Sequence, residues 1–189
     1  MVTQLEISAS RLVELIGLLL RVAAEEQGTS FYALKPLHLE QIVEQVLKDY
    51  QTRTEKKRLC VSLQMGENLP EVNADYEQIR FVVQTLFHNA VLYTPDEGTV
   101  NITLRKVNDT RVRLSVTDSG IGINQEEFPF IFSKFFRGKQ AMLIDTEGAG
   151  LGLFLTKTIV KRHGGSITAS SEGEGKGSVF VIELPALNA

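Results

Sequence analysis

Cysteine is nearly missing from this chain of 189 residues: Cys60 stands alone. One thiol excludes an internal disulfide framework and a cysteine-based zinc site. Cys60 falls within an alternating apolar stretch, and a buried structural thiol is expected there rather than a reactive one. No apolar run approaches the roughly 20 residues needed to cross a bilayer. Acidic residues interrupt the apolar ones near the N-terminus and no small-residue cleavage site follows, so a signal peptide is not expected. These absences point to a soluble, cytoplasmic segment, although a membrane-anchored parent could carry its spans upstream of Met1. A clustered basic patch is lacking too. The 20 Lys and Arg and 23 Asp and Glu are dispersed and leave a formal net charge of -3, which argues against a nucleic-acid surface.

What is present is ample for a core, since 43% of the residues are hydrophobic. The length fits one domain, or one domain plus an appended element. The first 26 residues read as a helix, with Leu5, Leu12, Leu15, Ile16, Leu19, Val22 and Ala23 at three- and four-residue steps. Glu6, Arg11, Glu14, Arg21 and Glu25 fall mostly elsewhere. Such a stripe needs a partner: its own domain, or the other helices of a hairpin or dimer bundle. The Gly28-Thr29-Ser30 break follows, with no second long helix at hairpin distance.

Beyond the break, Leu37 to Leu39 reads as a short strand and Glu40 to Thr54 as an amphipathic helix. Leu59 to Leu63 alternates like a strand, and Pro70 with Asn73 marks a turn. Asp75 is placed to cap a long helix running to about Tyr93. Strands are expected at Val100 to Val107 and Val112 to Thr117, then a helix from Leu151 to His163, stopped by Gly164-Gly165. Ser166 to Ser171 and Ser178 to Leu184 read as a closing hairpin. The pattern is α+β: a two-layer α/β sandwich with a mixed, mostly antiparallel sheet and about three main helices, preceded by one amphipathic helix.

Three features fall in an order that points to a nucleotide pocket. Asp118-Ser119-Gly120-Ile121-Gly122 follows a strand directly. Its carboxylate can accept a hydrogen bond from a flat ligand while the glycines let the backbone approach. Gly148-Ala149-Gly150-Leu151-Gly152 opens a helix, where free backbone N–H groups and the helix dipole favour phosphate. Asn89, on the long helix, offers a neutral carbonyl to a metal's oxygen shell. Taken singly, each is matched by a bland reading: a tight turn, a helix-start loop, a satisfied core amide. No βαβ unit surrounds the glycines and no Lys-Ser/Thr follows them, so neither a dinucleotide fold nor a Walker-type loop fits.

With these residues in place, nearly the whole chain resembles the catalytic domain of sensor histidine kinases, in the superfamily that also holds type II topoisomerase ATPases and ninety-kilodalton chaperones. Thr85 to Pro95 is similar to the family's N box and Asp118 to Ile123 to its first glycine box. Phe128 to Arg137 resembles the F box, and Gly148 to Leu153 with the helix to Gly165 resembles the second glycine box. Residues 3 to 34 resemble the second helix of the family's dimerisation and phosphotransfer domain and its exit into the catalytic domain. The resemblance implies a Bergerat-type ATP-binding fold over 31–189, with 1–30 as a partial phosphotransfer helix.

It further implies ATP and Mg²⁺ as cofactors. Asp118 would accept from the adenine amino group, with Gly120 and Gly122 passing close to the base. Ile123 and Leu151 belong to the same two boxes and are carried with them as nucleotide-binding positions. Asn89 would hold Mg²⁺, and Tyr93 would line the pocket. Gly148, Gly150 and Gly152 would give a lid its hinge and phosphate-binding backbone. Lys134 and Arg137 would reach the γ-phosphate on closure, or else be solvated surface cations. The implied partners are the parent kinase's phosphoacceptor histidine domain, a response regulator receiver domain, and a second copy through the N-terminal helix, with no nucleic acid.

Three departures stand out. Thr85 occupies the place of a second N-box asparagine, and Leu92 that of a lysine aimed at phosphate. The histidines are His38, His88 and His163, and none lies in the setting of a phosphoacceptor, so all three are read as structural. The expected reaction is therefore transfer of the ATP γ-phosphoryl group to a histidine outside this chain. The alternative is a degenerate nucleotide-binding or dimerisation module without kinase activity. A hydrolytic ATPase of the topoisomerase or chaperone kind fits less well, because those enzymes use a Glu at the place of Thr85 to activate water.

Overall fold

The computed structural model describes residues 2–187, without the side chains of 2–8, 10, 11 and 14. The roles expected of Leu5, Glu6, Arg11 and Glu14 lie outside the described side chains. Helix α1 (Val2–Gln27) leads into strand β1 (Lys35–Leu37), helix α2 (Leu39–Lys56), strand β2 (Cys60–Met65), strand β3 (Val72–Ala74) and helix α3 (Tyr76–Tyr93). Strands β4 (Thr99–Asn108) and β5 (Arg111–Asp118) follow. A long excursion then carries a 3-10 turn at Phe128–Phe130 and the short helix α4 (Lys139–Ile144). Helix α5 (Gly152–Arg162) and strands β6 (Ser166–Ser170) and β7 (Ser178–Pro185) complete the chain.

Five strands form one sheet in the order β2-β4-β5-β7-β6, parallel at β2–β4 and antiparallel elsewhere. Helices α2, α3 and α5 pack against one another in sequence and against the sheet, giving the expected α+β two-layer architecture. Strand periodicity defines the core. Val100, Ile102 and Leu104 of β4, Val112, Leu114 and Val116 of β5, and Phe180, Ile182 and Leu184 of β7 are all buried at alternate positions. The helices answer with Ile42, Val46, Ile79, Val83, Leu86, Leu155 and Ile159. Burying this much apolar surface is the main force holding the two layers together.

The same alternation positions one charged residue. Asp118 ends β5 in phase with Val112, Leu114 and Val116, so its carboxylate faces the helix layer, and the residue is only 8% exposed.

Helix α3 starts as expected at Asp75, whose side chain accepts from the Gln78 N–H at 3.0 Å. Asp75 also accepts from Ala33 N–H at 2.8 Å, and its own N–H donates to His163 Nε2 at 3.0 Å. At the other end, the Lys57 ammonium donates to the carbonyls of Val91 at 2.9 Å, Leu92 at 3.1 Å and Thr94 at 2.5 Å. A helix leaves its last carbonyls without intrahelical partners, and Lys57 satisfies three at that end of α3.

Four local expectations are corrected. Cys60 is exposed, because Leu59, Val61 and Leu63 take the inward phase and leave it on the opposite side. Leu39 begins α2 instead of ending a strand. The turn expected around Asn73 contains β3, paired antiparallel with β1 from Lys35↔Ala74 to Leu37↔Val72. A short helix, α4 (Lys139–Ile144), stands between the F-box stretch and the second glycine turn, where no helix was expected.

Helix α1 divides along its length. Val22 is buried and Leu18 packs on the core, while Leu12, Val13, Ile16, Leu19 and Leu20 remain exposed. Its C-terminal end is tied down: Arg162 Nε lies 2.9 Å from Glu25 Oε2, and Tyr32 donates its hydroxyl to Glu25 Oε1 at 2.8 Å. No helix among the described residues is long and apolar enough to cross a membrane.

Candidate functional site

A broad cleft of about 1720 Å³ runs along α3, lined also by α1, by the end of α2 and by the excursion that joins β5 to α5. Its lining includes Thr85, Asn89, Leu92 and Tyr93 from α3, Asp118 from β5, and the Gly148–Gly152 turn. Asn89, Tyr93, Asp118, Gly122, Ile123, Arg137, Gly148, Gly150, Leu151 and Gly152 thus share one cavity, although they come from four separate stretches of sequence.

Asp118 lies at the base of this cleft. Its Oδ1 accepts from Gly120 N–H at 2.8 Å and its Oδ2 from the Ser178 hydroxyl at 2.5 Å. Burial pushes its pKa up, and the bonds from Ser178 and Gly120 partly offset this. Each carboxylate oxygen keeps further lone-pair capacity, so the group can still accept from a planar N–H donor. Gly120 does not line the cleft but stands behind it. A Cβ there would lie 2.6 Å from the Tyr93 carbonyl oxygen, the same oxygen that accepts from Ile121 N–H at 3.2 Å. Only glycine permits this close seam between α3 and the loop.

Gly177 and Ser178 were not singled out from sequence. Gly177 has φ +69°, and a Cβ there would collide with the Asp118 carbonyl oxygen. Ser178 opens β7 opposite Asp118 in the antiparallel register. The only available signal was Gly173-Glu174-Gly175-Lys176-Gly177, a string too common in turns to mark a site.

The second glycine turn leads into α5 as expected. Gly150 has φ +67°, and a Cβ there would lie 2.8 Å from Phe136 O. Leu151, 1% exposed, anchors the turn in the core. A Cβ on Gly152 would come 3.0 Å from Thr85 Cγ2, so the start of α5 sits against the α3 face that carries Asn89.

The two candidate cations differ in placement. Arg137 lines the cleft, donates to Gly148 O at 2.9 Å, and reaches Asp145 Oδ2 at 3.2 Å. Lys134 lies outside the cleft lining, paired with Glu26 of α1 and positioned 5.1 Å above the Phe154 ring. The Tyr93 hydroxyl has a raised pKa, first from burial and then from Asp145, with Arg137 opposing.

Among the described residues no group of three or more His, Cys, Asp or Glu side chains is arranged to hold a metal ion. The lining around Asn89 offers an amide and a hydroxyl: Asn89 itself and Thr85, one helical turn before it. That donor set suits a magnesium ion that arrives with phosphate oxygens and keeps its waters, not one held in a protein cage.

The histidines occupy structural settings. His163 is buried, with Nδ1 2.8 Å from Ile159 O. His88 meets the Tyr50 hydroxyl at 3.2 Å, and His38 lies 3.4 Å from Glu40 and 3.3 Å from Glu71.

The adaptive-response sensory kinase SasA of Synechocystis sp. is 35% identical over 151 residues, 80% of this chain and 39% of that protein. The chain spans well under half the length of the curated relatives it matches. Among solved structures, full-length ShkA in complex with AMPPNP superposes with a TM-score of 0.86 at 29% identity, over 100% of this chain and 38% of that one. ThkA in complex with the response regulator protein TrrA superposes with a TM-score of 0.76 at 25% identity, over 96% and 50%. Residues 74–188, which carry Asn89, Asp118 and both glycine turns, match the family described as histidine kinase-, DNA gyrase B-, and HSP90-like ATPases, and this chain belongs to that family.

Proposed function

We propose that this chain is the ATP-binding catalytic part of a two-component sensor histidine kinase, transferring the γ-phosphoryl group of ATP to a histidine on a domain outside it. One observation carries the reading above the others. A carboxylate that strand phase would bury in a core opens instead into a cleft, held by Ser178 and Gly120 and faced by Asn89 and the Gly148–Gly152 turn. In this reading Asp118 receives the adenine amino group, Tyr93 and Ile123 flank the base, and the glycine turn receives phosphate at the start of α5. Asn89 helps hold Mg²⁺, which neutralises charge on the triphosphate. Arg137 reaches the γ-phosphoryl group as the lid closes, and Lys134 joins it once released from Glu26.

The γ-phosphorus leaves its bridging oxygen, ADP departs with that electron pair, and a neutral imidazole nitrogen forms the new N–P bond. Positioning and charge stabilisation supply the catalysis. Support comes from SasA, from the AMPPNP bound to ShkA, and from the response regulator bound to ThkA. Residues 1–30 belong in this reading to a dimerisation and phosphotransfer domain. The exposed Leu12, Ile16 and Leu19 face the missing acceptor helix and a second copy. The location is cytoplasmic, whatever anchors the parent protein.

Titration of ATP with and without Mg²⁺, beside Asp118→Asn, tests the pocket. Saturable binding enhanced by Mg²⁺ and strongly weakened in the variant is expected, followed by transfer to a supplied acceptor domain. Absence of binding by a folded sample at millimolar ATP would overturn the reading.

A further inference from the structure

The α3 wall of the cleft carries no cation of its own at the level of Asn89, where Thr85 and Leu92 stand on either side. The cations along the lining are mostly committed. Arg21 donates to Gln78 and lies over Phe81, Lys57 caps α3, and Arg137 is held by Asp145 and Gly148. Arg53 of α2 is different. It lines the same cleft as Asn89 and Leu92, it is exposed, and among the described residues it forms no ion pair with a carboxylate.

One aromatic contact orients it. The Arg53 guanidinium lies 5.1 Å from the centre of the Tyr50 ring, and the Tyr50 hydroxyl meets His88 Nδ1 at 3.2 Å. His88 is the residue immediately before Asn89. One helical turn further along α2, Lys57 binds Leu92 O. Arg53 therefore projects between the levels of His88 and Leu92, steadied by an aromatic ring that is itself anchored to α3. Lys56 also lines the cleft but has no comparable tie.

We propose that Arg53 is a nucleotide-binding residue, supplying from α2 the positive charge that α3 lacks and contacting the terminal phosphate of a triphosphate held at Asn89. The proposal rests on the nucleotide reading above. The guanidinium fork can donate two parallel N–H bonds to a pair of phosphate oxygens, and a ring-stacked arginine loses less freedom on engaging them than a free one. The adenine end is read by Asp118, so Arg53 sets the preference for triphosphate over diphosphate.

The test compares equilibrium binding of MgATP and ADP to the unchanged chain, Arg53→Gln, Arg53→Lys and Lys48→Gln. Lys48 is exposed on the same helix but outside the cleft, so its removal reports the general effect of one lost charge. Arg53→Gln is expected to weaken MgATP by about tenfold, the low end for a charged hydrogen bond in an open cleft. ADP should change by less than about twofold, Arg53→Lys should recover part of the loss, and Lys48→Gln should match the unchanged chain. Equal weakening of ATP and ADP, or no weakening of either, would overturn the role of Arg53 alone. Failure of the unchanged chain to bind either nucleotide would overturn the nucleotide reading and this proposal with it.

Discussion

Arg137 and Asp145 form an ion pair within the excursion that joins β5 to α5, 3.2 Å apart, with the guanidinium also donating to Gly148 O of the glycine turn. The cation assigned to the γ-phosphate is thus occupied by a carboxylate and by the very turn expected to bind phosphate. Asp145→Asn removes the competing charge and is expected to tighten MgATP by about threefold, the scale of a partly exposed ion pair. Arg137→Gln should weaken it by about tenfold. Calorimetric titration of both variants checks the opposite signs.

Asp118→Asn should separate binding from stability. Burial raises the Asp118 pKa in the fold. The folded state therefore holds this proton more tightly than the unfolded chain, and the stability Asp118 contributes is present at low pH and lost as pH rises through the folded pKa. At neutral pH the ionised group is a cost. The asparagine variant keeps an oxygen for Gly120 N–H and offers an amide to Ser178, so its melting temperature should equal or exceed that of the unchanged chain. Its nucleotide affinity should fall by about 10- to 100-fold. Thermal melts at pH 5 and pH 8 beside ATP titration read both halves.

Gly177→Ala should damage the same site from a distance in sequence. The added methyl meets the Asp118 carbonyl oxygen at a left-handed φ, which predicts a loss of about 2–4 kcal/mol. Denaturant unfolding measures it. Gly173→Ala, which meets no atom within 4 Å at φ +122°, should cost only the backbone strain.

Lys57→Met keeps the aliphatic stem and removes the ammonium from three carbonyls at the end of α3. A loss of about 1–3 kcal/mol is expected from leaving these acceptors short of a donor. Faster hydrogen exchange should be confined to the last turn of α3, near Tyr93.

These sites differ in how plainly they stand in the sequence. Asp118 is legible because strand alternation and the two following glycines act over a few residues, and Asp75 because a cap is a local device. Gly177 and Ser178 reach Asp118 only through the β5–β7 register, some 60 residues away in sequence. Lys134 and Arg137 are both basic positions of the F-box stretch in the string, yet Arg137 faces the cleft and Lys134 pairs with Glu26 of α1. Cys60 was misread as buried because it sits in an apolar stretch, although the alternation that turns Leu59, Val61 and Leu63 inward puts it on the opposite face. Strand β3 was missed because three residues carry no period, and its pairing comes from Lys35 to Leu37 across the whole of α2.

The tie between Glu25 and Arg162 has a mechanical consequence. Arg162 ends α5, and Gly152 begins it at the phosphate turn. Eleven residues of helix make a stiff rod of about 16 Å, pinned at one end to α1 and at the other to the mouth of the cleft. Leu155, Ile159 and Val160 are buried along its length, so α1 and the glycine turn are joined by one continuous helix packed into the core and not by a flexible loop.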